Sequence, residues 1–201
     1  MGRRRAAASV AAAVVFAVLT SACSGSSTPA PASPTGSTAA ASTSPTGTAA
    51  SVSPTPPAPT LPAEAQQPTP AGAVAFVRHF MALYNYSYSA LNTTELAQAS
   101  DAKCVFCQSV IDNVRDARTR NQRIEGGVLT VQAAVASPGT PDRGLIVATR
   151  IDQGESRTVN TDGSVAAQGG RDVGIMMDIA VRWQNARWLF LDAHIDLPSP
   201  S

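Results

Sequence analysis

The amino-acid sequence predicts an α+β domain in which three N-terminal helices pack on a curved antiparallel sheet of about five strands, and three patterns lead to it. Apolar residues recur at helical spacing only in the first part of the domain. They alternate with period two through the rest. The last two alternating runs are joined by a short polar segment, as in an antiparallel hairpin.

The first helix begins at Thr69-Pro70, where Thr can cap free amides and Pro suits the first helical position, and it runs to about Ser89. Phe76, Val77, Phe80, Met81, Leu83 and Tyr84 fall on one half of its wheel with Val74 and Tyr88, and Arg78 and His79 flank them. A short helix spans residues 94–99. The third starts near Ser100-Asp101 and gathers Cys107, Val110, Ile111, Val114 and Ala117 on one face. Arg115, Arg118, Arg120 and Arg123 crowd its C-terminal half, where cations suit the helix dipole, and Gly126-Gly127 ends it.

Leu129, Val131, Ala133 and Val135 then alternate with polar or small residues, and Leu145, Val147, Thr149 and Ile151 repeat the pattern after a Ser137-Pro138-Gly139 turn. Residues 158–161 with Asp162-Gly163 read as a weaker strand and turn. Ile175, Met177, Ile179, Val181 and Trp183 lead through a turn at residues 184–187 into Trp188-Leu189-Phe190-Leu191.

The part ahead of this domain has a different composition. Three arginines stand at Arg3, Arg4 and Arg5, and no charged residue follows until Glu64. Residues 6–19 are apolar apart from Ser9, a length that as a helix reaches roughly 21 Å against the ~30 Å of a bilayer's hydrocarbon core. A basic start, a short apolar run and small residues before a cleavage point are the parts of a secretory signal. Residues 1–22 therefore read as a lipoprotein signal peptide, 23–66 as a Ser/Thr/Ala/Pro-rich stalk and 67–197 as the globular domain. Eleven of the fifteen prolines lie between residues 29 and 70, where branched aliphatic and aromatic side chains are too few to form a core. Beyond the N-terminal arginines, twelve basic residues face fourteen acidic ones, a balance that gives no basis for nucleic-acid binding.

Leu19-Thr20-Ser21-Ala22-Cys23 resembles the lipobox of bacterial lipoproteins, and that resemblance implies a lipid on Cys23 and a place on the outer face of the bacterial cytoplasmic membrane. The order of elements and the ending Val181-Arg182-Trp183-Gln184-Asn185-Ala186-Arg187-Trp188 resemble the nuclear-transport-factor-2-like (SnoaL-like) superfamily. Leu61-Pro62-Ala63-Glu64-Ala65, Phe76-Val77-Arg78-His79-Phe80, the pair Cys104 and Cys107, and Arg123-Ile124-Glu125-Gly126-Gly127 are similar to an actinobacterial lipoprotein family of unknown function. The superfamily resemblance implies a cone-shaped fold with a pocket at its wide end and, in many members, a homodimer. It implies no activity.

Cys104 and Cys107 read as an exported, oxidised pair at the start of a helix. A thioredoxin-type redox site is the rival, but that motif normally follows a strand, and two further ligands for a metal are not evident. Asp192 and His194, two apart on the last strand, would share a face with Trp188 and Phe190, so they are the weak candidates for acid-base catalysis. Asp178 reads as outward-facing, His79 as a boundary residue, and Tyr84 and Tyr88 as core residues with hydroxyls at an edge, Tyr86 lying off that face.

No cofactor or metal motif is present. The expectation is a tethered, non-catalytic module binding a small hydrophobic ligand or an envelope protein, held to membrane lipid through Cys23. The alternative is a cofactor-free isomerase, dehydratase or cyclase using Asp192 and His194.

Overall fold

The computed structural model describes residues 57–195. A 3-10 turn, η1 (Glu64–Gln66), precedes three helices, α1 (Pro70–Ala90), α2 (Thr94–Ala99) and α3 (Val105–Thr119). Seven strands follow: β1 (Arg123–Gly126), β2 (Leu129–Ala136), β3 (Leu145–Gln153), β4 (Ser156–Val159), β5 (Val165–Gly169), β6 (Asp172–Gln184) and β7 (Arg187–Ile195).

The start of α1 follows from its cap. The Thr69 side chain accepts the Gly72 amide at 3.0 Å, and Pro70 occupies the first turn, where its missing N–H costs nothing. Gly72 is buried because the chain doubles back over it: a Cβ there would collide with the Gln67 and Glu64 carbonyls. Ala65 is thereby driven into the core. The third helix holds all of its expected apolar face but starts later than Ser100-Asp101 and stops sooner than Gly126-Gly127. Asn121, at φ 53°, takes the left-handed conformation that ends a helix, and Arg123 belongs to a strand instead.

The expected single curved sheet of about five strands is corrected by the structure, which has two antiparallel sheets, one of three strands in the order β1-β4-β5 and one of four in the order β2-β3-β6-β7. A single wrapped sheet, and with it the cone implied by the superfamily resemblance, is therefore not what the chain forms. Two short strands do not read as such from their residues, β1 because it is four residues long and mostly polar, and β5 because its five residues are mostly small and all exposed. The break itself falls at glycines. The pairing Gly126↔Ser156 in one sheet and Leu129↔Gln153 in the other stay on one register, with Gly126 and Gly127 at φ 73° and 68° between them. The chain can turn the corner there because neither residue carries a Cβ. The Gly127 amide reaches the Glu155 carbonyl at 2.7 Å, and the Gly154 amide the Val128 carbonyl at 3.0 Å.

The core lies between α1 and the inner face of the four-stranded sheet. Phe80 stacks on Phe190 with centroids 3.8 Å apart, and Phe106 lies beside Phe190 at 5.8 Å. Val147, Ile151, Ile179 and Val181 fill the sheet side. Asn85 clamps helix to sheet by donating to the Leu129 carbonyl and accepting from its amide. Such a paired amide leaves no buried backbone group of Leu129 without a partner.

Candidate functional site

The last hairpin decides the fate of the acid-base candidates. Val181 pairs with Phe190 and Ala180 with Asp192, so one residue of β7, Leu191, is bulged out of the ladder. A one-residue insertion exchanges the two faces. Trp188 and Phe190 point into the core, whereas Asp192 pairs with Ala180 and reaches the start of α3, and His194 pairs with Asp178. The expectation that all four share a face is therefore wrong. Asp178 and His194 are exposed cross-strand neighbours.

Asp192 has structural employment. Its Oδ1 accepts the Phe106 amide at 3.1 Å in the first turn of α3 and its neighbour's Ala193 amide at 2.9 Å. A carboxylate there satisfies a free amide and suits the positive end of the helix dipole. The Cys104–Cys107 disulfide closes the same turn, with Cα atoms 5.3 Å apart and both residues buried; Cys104 Sγ also accepts the Cys107 amide at 3.0 Å. The pair is placed as a staple beneath the Asp192 cap, walled off from solvent. Cys23 lies outside the described residues. Among those residues, no helix is long and apolar enough to cross a membrane.

Two of the concavities beside the α1 helix have aromatic walls. The first, of about 360 Å³, lies between α1, the end of α3 and the three-stranded sheet. Tyr84 and Tyr88 line it, their rings 4.9 Å apart. Burial raises the pKa of Tyr84, and its hydrogen bond to Tyr88 raises it further. Polar groups here serve one another. Asn113 donates to the Tyr88 hydroxyl at 3.4 Å, Asp116 pairs with Arg120 at 3.0 Å, and Gln122 donates to Asn160 at 2.8 Å.

The second, of about 530 Å³, runs between α1, α2 and the β6-β7 turn. Its wall is aromatic: Phe76 stacks near Trp188 at 6.4 Å, and Trp183 meets Trp188 edge-on at 5.5 Å. Trp188 is committed to the fold, because its indole N–H donates to the Gln67 carbonyl at 3.0 Å. Trp183 is only half buried. Around these rings stand Glu95, His79, Gln98, Gln66 and Arg187, none of whose side chains hydrogen-bonds to another group among the described residues. Glu95 is the sharpest case, since its Oε2 is shut off from solvent and has no partner. An unpaired buried oxygen costs free energy unless something fills it. Burial lowers the pKa of His79, so this imidazole is neutral near pH 7.

Sequence reasoning did not find this groove. The two tryptophans, the chain's only ones, sit five residues apart on adjoining strands, which could have flagged them as cross-strand neighbours. Nothing in the sequence connects Glu95 with them. The turn that brings Trp183 to Trp188 is made by Asn185 and Ala186 at φ 53° and 58°, a left-handed pair that matches the twist of a hairpin.

Among solved structures, the chain is similar to the intermembrane-space region of the chloroplast protein ARC6 (9% identity over 64% of this chain and 97% of that one, TM-score 0.46). It is similar also to Aln2 from a Streptomyces species (10% identity, 64% and 92%, TM-score 0.42) and to a protein of Catenulispora acidiphila (11%, 63% and 91%, TM-score 0.41). These likenesses are too slight to carry an inference. No curated protein matches the chain. Residues 44–194 do match a family of proteins of unknown function, and the chain belongs to that family, DUF6318.

Proposed function

We propose that this protein is a membrane-anchored cell-envelope lipoprotein whose domain binds a ligand without transforming it, and that the binding site is the aromatic groove. The observation that carries the reading is a groove of about 530 Å³ walled by Phe76, Trp188 and a partly exposed Trp183, with Gln66, Gln98 and Arg187 at its rim. An aromatic wall with a few polar groups at its rim is the usual make-up of a site for a small ligand. The enzyme alternative is the weaker reading, because Asp192 Oδ1 is taken up by the Phe106 and Ala193 amides.

The lipobox-like residues ending in Cys23 support a lipid tether on the outer face of the membrane. Such a tether keeps a binding domain near envelope components. Replacing Cys23 by Ala is expected to release the protein from the membrane fraction, and retention there would refute the anchor. The groove itself is tested on the full chain in mild detergent, with its two indole N–H signals followed by NMR. The small-molecule fraction of the cell's own envelope is expected to move the Trp183 signal, and no movement with the whole fraction would refute the site.

A further inference from the structure

One face of the four-stranded sheet lies on the core, and the other is open to solvent among the described residues. Along β3 the buried residues alternate with exposed Ile146, Ala148 and Arg150, and along β6 with exposed Met176 and Asp178. On this outer face Val135 is 68% exposed, Met176 48% and Ile146 42%. Ala148 lies beside Val135 and Ala180 beside Ile146, so small side chains separate the larger ones and a second layer can approach closely. A solvated sheet face is ordinarily polar, so a mostly apolar one marks a surface that is covered in use.

We infer that a second copy of this chain covers that face, in a two-fold dimer. Two opposite charges stand inside the apolar block on adjoining strands. Arg150 pairs with Met176 and Ala148 with Asp178, so these four residues form the corners of a near-square. No ion pair among the described residues engages Arg150, whose guanidinium lies over Gly174. A two-fold axis running between facing sheets, midway between Arg150 and Asp178, lays Arg150 of each copy over Asp178 of the other. The same axis sets Ala148 and Met176 against their own counterparts. An apolar partner or acyl chains would bury both charges unpaired, and an anionic surface would meet Asp178. Four strands about 4.8 Å apart and about ten residues long present roughly 600 Å² per copy, or about 1,200 Å² for the pair, the lower end of a stable interface.

The test measures the protein mass of the full chain in mild detergent by sedimentation, between about 1 and 100 µM. Twice the mass of one chain is expected at the upper end. Arg150→Asp and Asp178→Arg should each weaken the dimer by about tenfold or more, because each sets like charges face to face. The double variant Arg150→Asp, Asp178→Arg should restore most of the loss, since it exchanges the two charges and keeps the pairing. Val165→Asp, on the exposed three-stranded sheet, should leave the dimer unchanged and serves as the control. A single-chain mass throughout overturns the dimer and leaves the face to another protein or to the lipid surface. A dimer that neither single change weakens overturns the interface, and one that the double variant fails to restore overturns the Arg150–Asp178 pairing.

Discussion

The two concavities flanking α1 are alike in kind and unlike in how their polar groups are spent. Both have aromatic side chains in the wall and amides or charges at the rim. In the tyrosine-lined pocket, Tyr84, Tyr88 and Asn113 bond to one another and Asp116 is held by Arg120. In the tryptophan-lined groove, the polar side chains have no such partners among the described residues, and one carboxylate oxygen is buried alone. The difference teaches that a hollow whose polar groups bond to one another is a weak sign of a site, whereas one whose rim groups are uncommitted to the fold is a stronger one.

The sharpest way to break this comparison is at Trp188, which anchors the groove to the core. Trp188→Ala should cost about 3 to 5 kcal/mol in urea unfolding, through lost packing against Phe76 and the lost bond to Gln67. If the loss were under about 1 kcal/mol, the wall would not be part of the core and the groove would not be rigid.

A smaller effect is expected at the cap. Asp192→Ala should cost about 1 to 2 kcal/mol by leaving the Phe106 amide unsatisfied, and Asp192→Asn should restore part of it by keeping an acceptor. Neither change should alter the response of the Trp183 indole signal, and a change there would mean that Asp192 communicates with the groove.

On the tyrosine side, Tyr88→Phe should cost about 1 kcal/mol, since it removes the acceptor for Asn113 and the partner of Tyr84. Ligand binding, read by the indole signals, should be unaffected. Lost binding in this variant would transfer the site to the tyrosine-lined pocket.

The smallest effect concerns pH. Burial holds the folded-state pKa of His79 below its usual 6.5, so on acidification the unfolded chain takes up the proton first. The stability associated with neutral His79 is full above about pH 6.5 and falls as pH drops below it. His79→Gln should flatten that part of the stability profile measured between about pH 5 and 7, and an unchanged slope would show that burial does not perturb this imidazole.

By itself the sequence determined the features that depend on neighbours along the chain. Thr69 and Pro70 start α1, apolar spacing marks α1 and α3, and period-two alternation marks β3 and β6, whereas in β2 a bulge after Val131 breaks it and leaves Val135 exposed. These follow from backbone geometry repeating over a few residues. It did not reveal β1 or β5, which are short and lack an apolar alternation, nor the glycine corner that divides the strands into two sheets.

Tertiary structure alone decided the site. The bulge at Leu191 is fixed by how β7 must pair with β6 while Phe190 stays beneath Phe80 and Asp192 reaches the Phe106 amide. That one-residue slip takes Asp192 and His194 off the alternation set of Trp188 and Phe190. The groove joins Glu95 of α2 to Trp183 of β6, residues far apart in sequence that only the packed chain brings to one cavity. Whether Glu95 Oε2 finds a partner depends on every group around it in three dimensions, and no local pattern of residues carries that information.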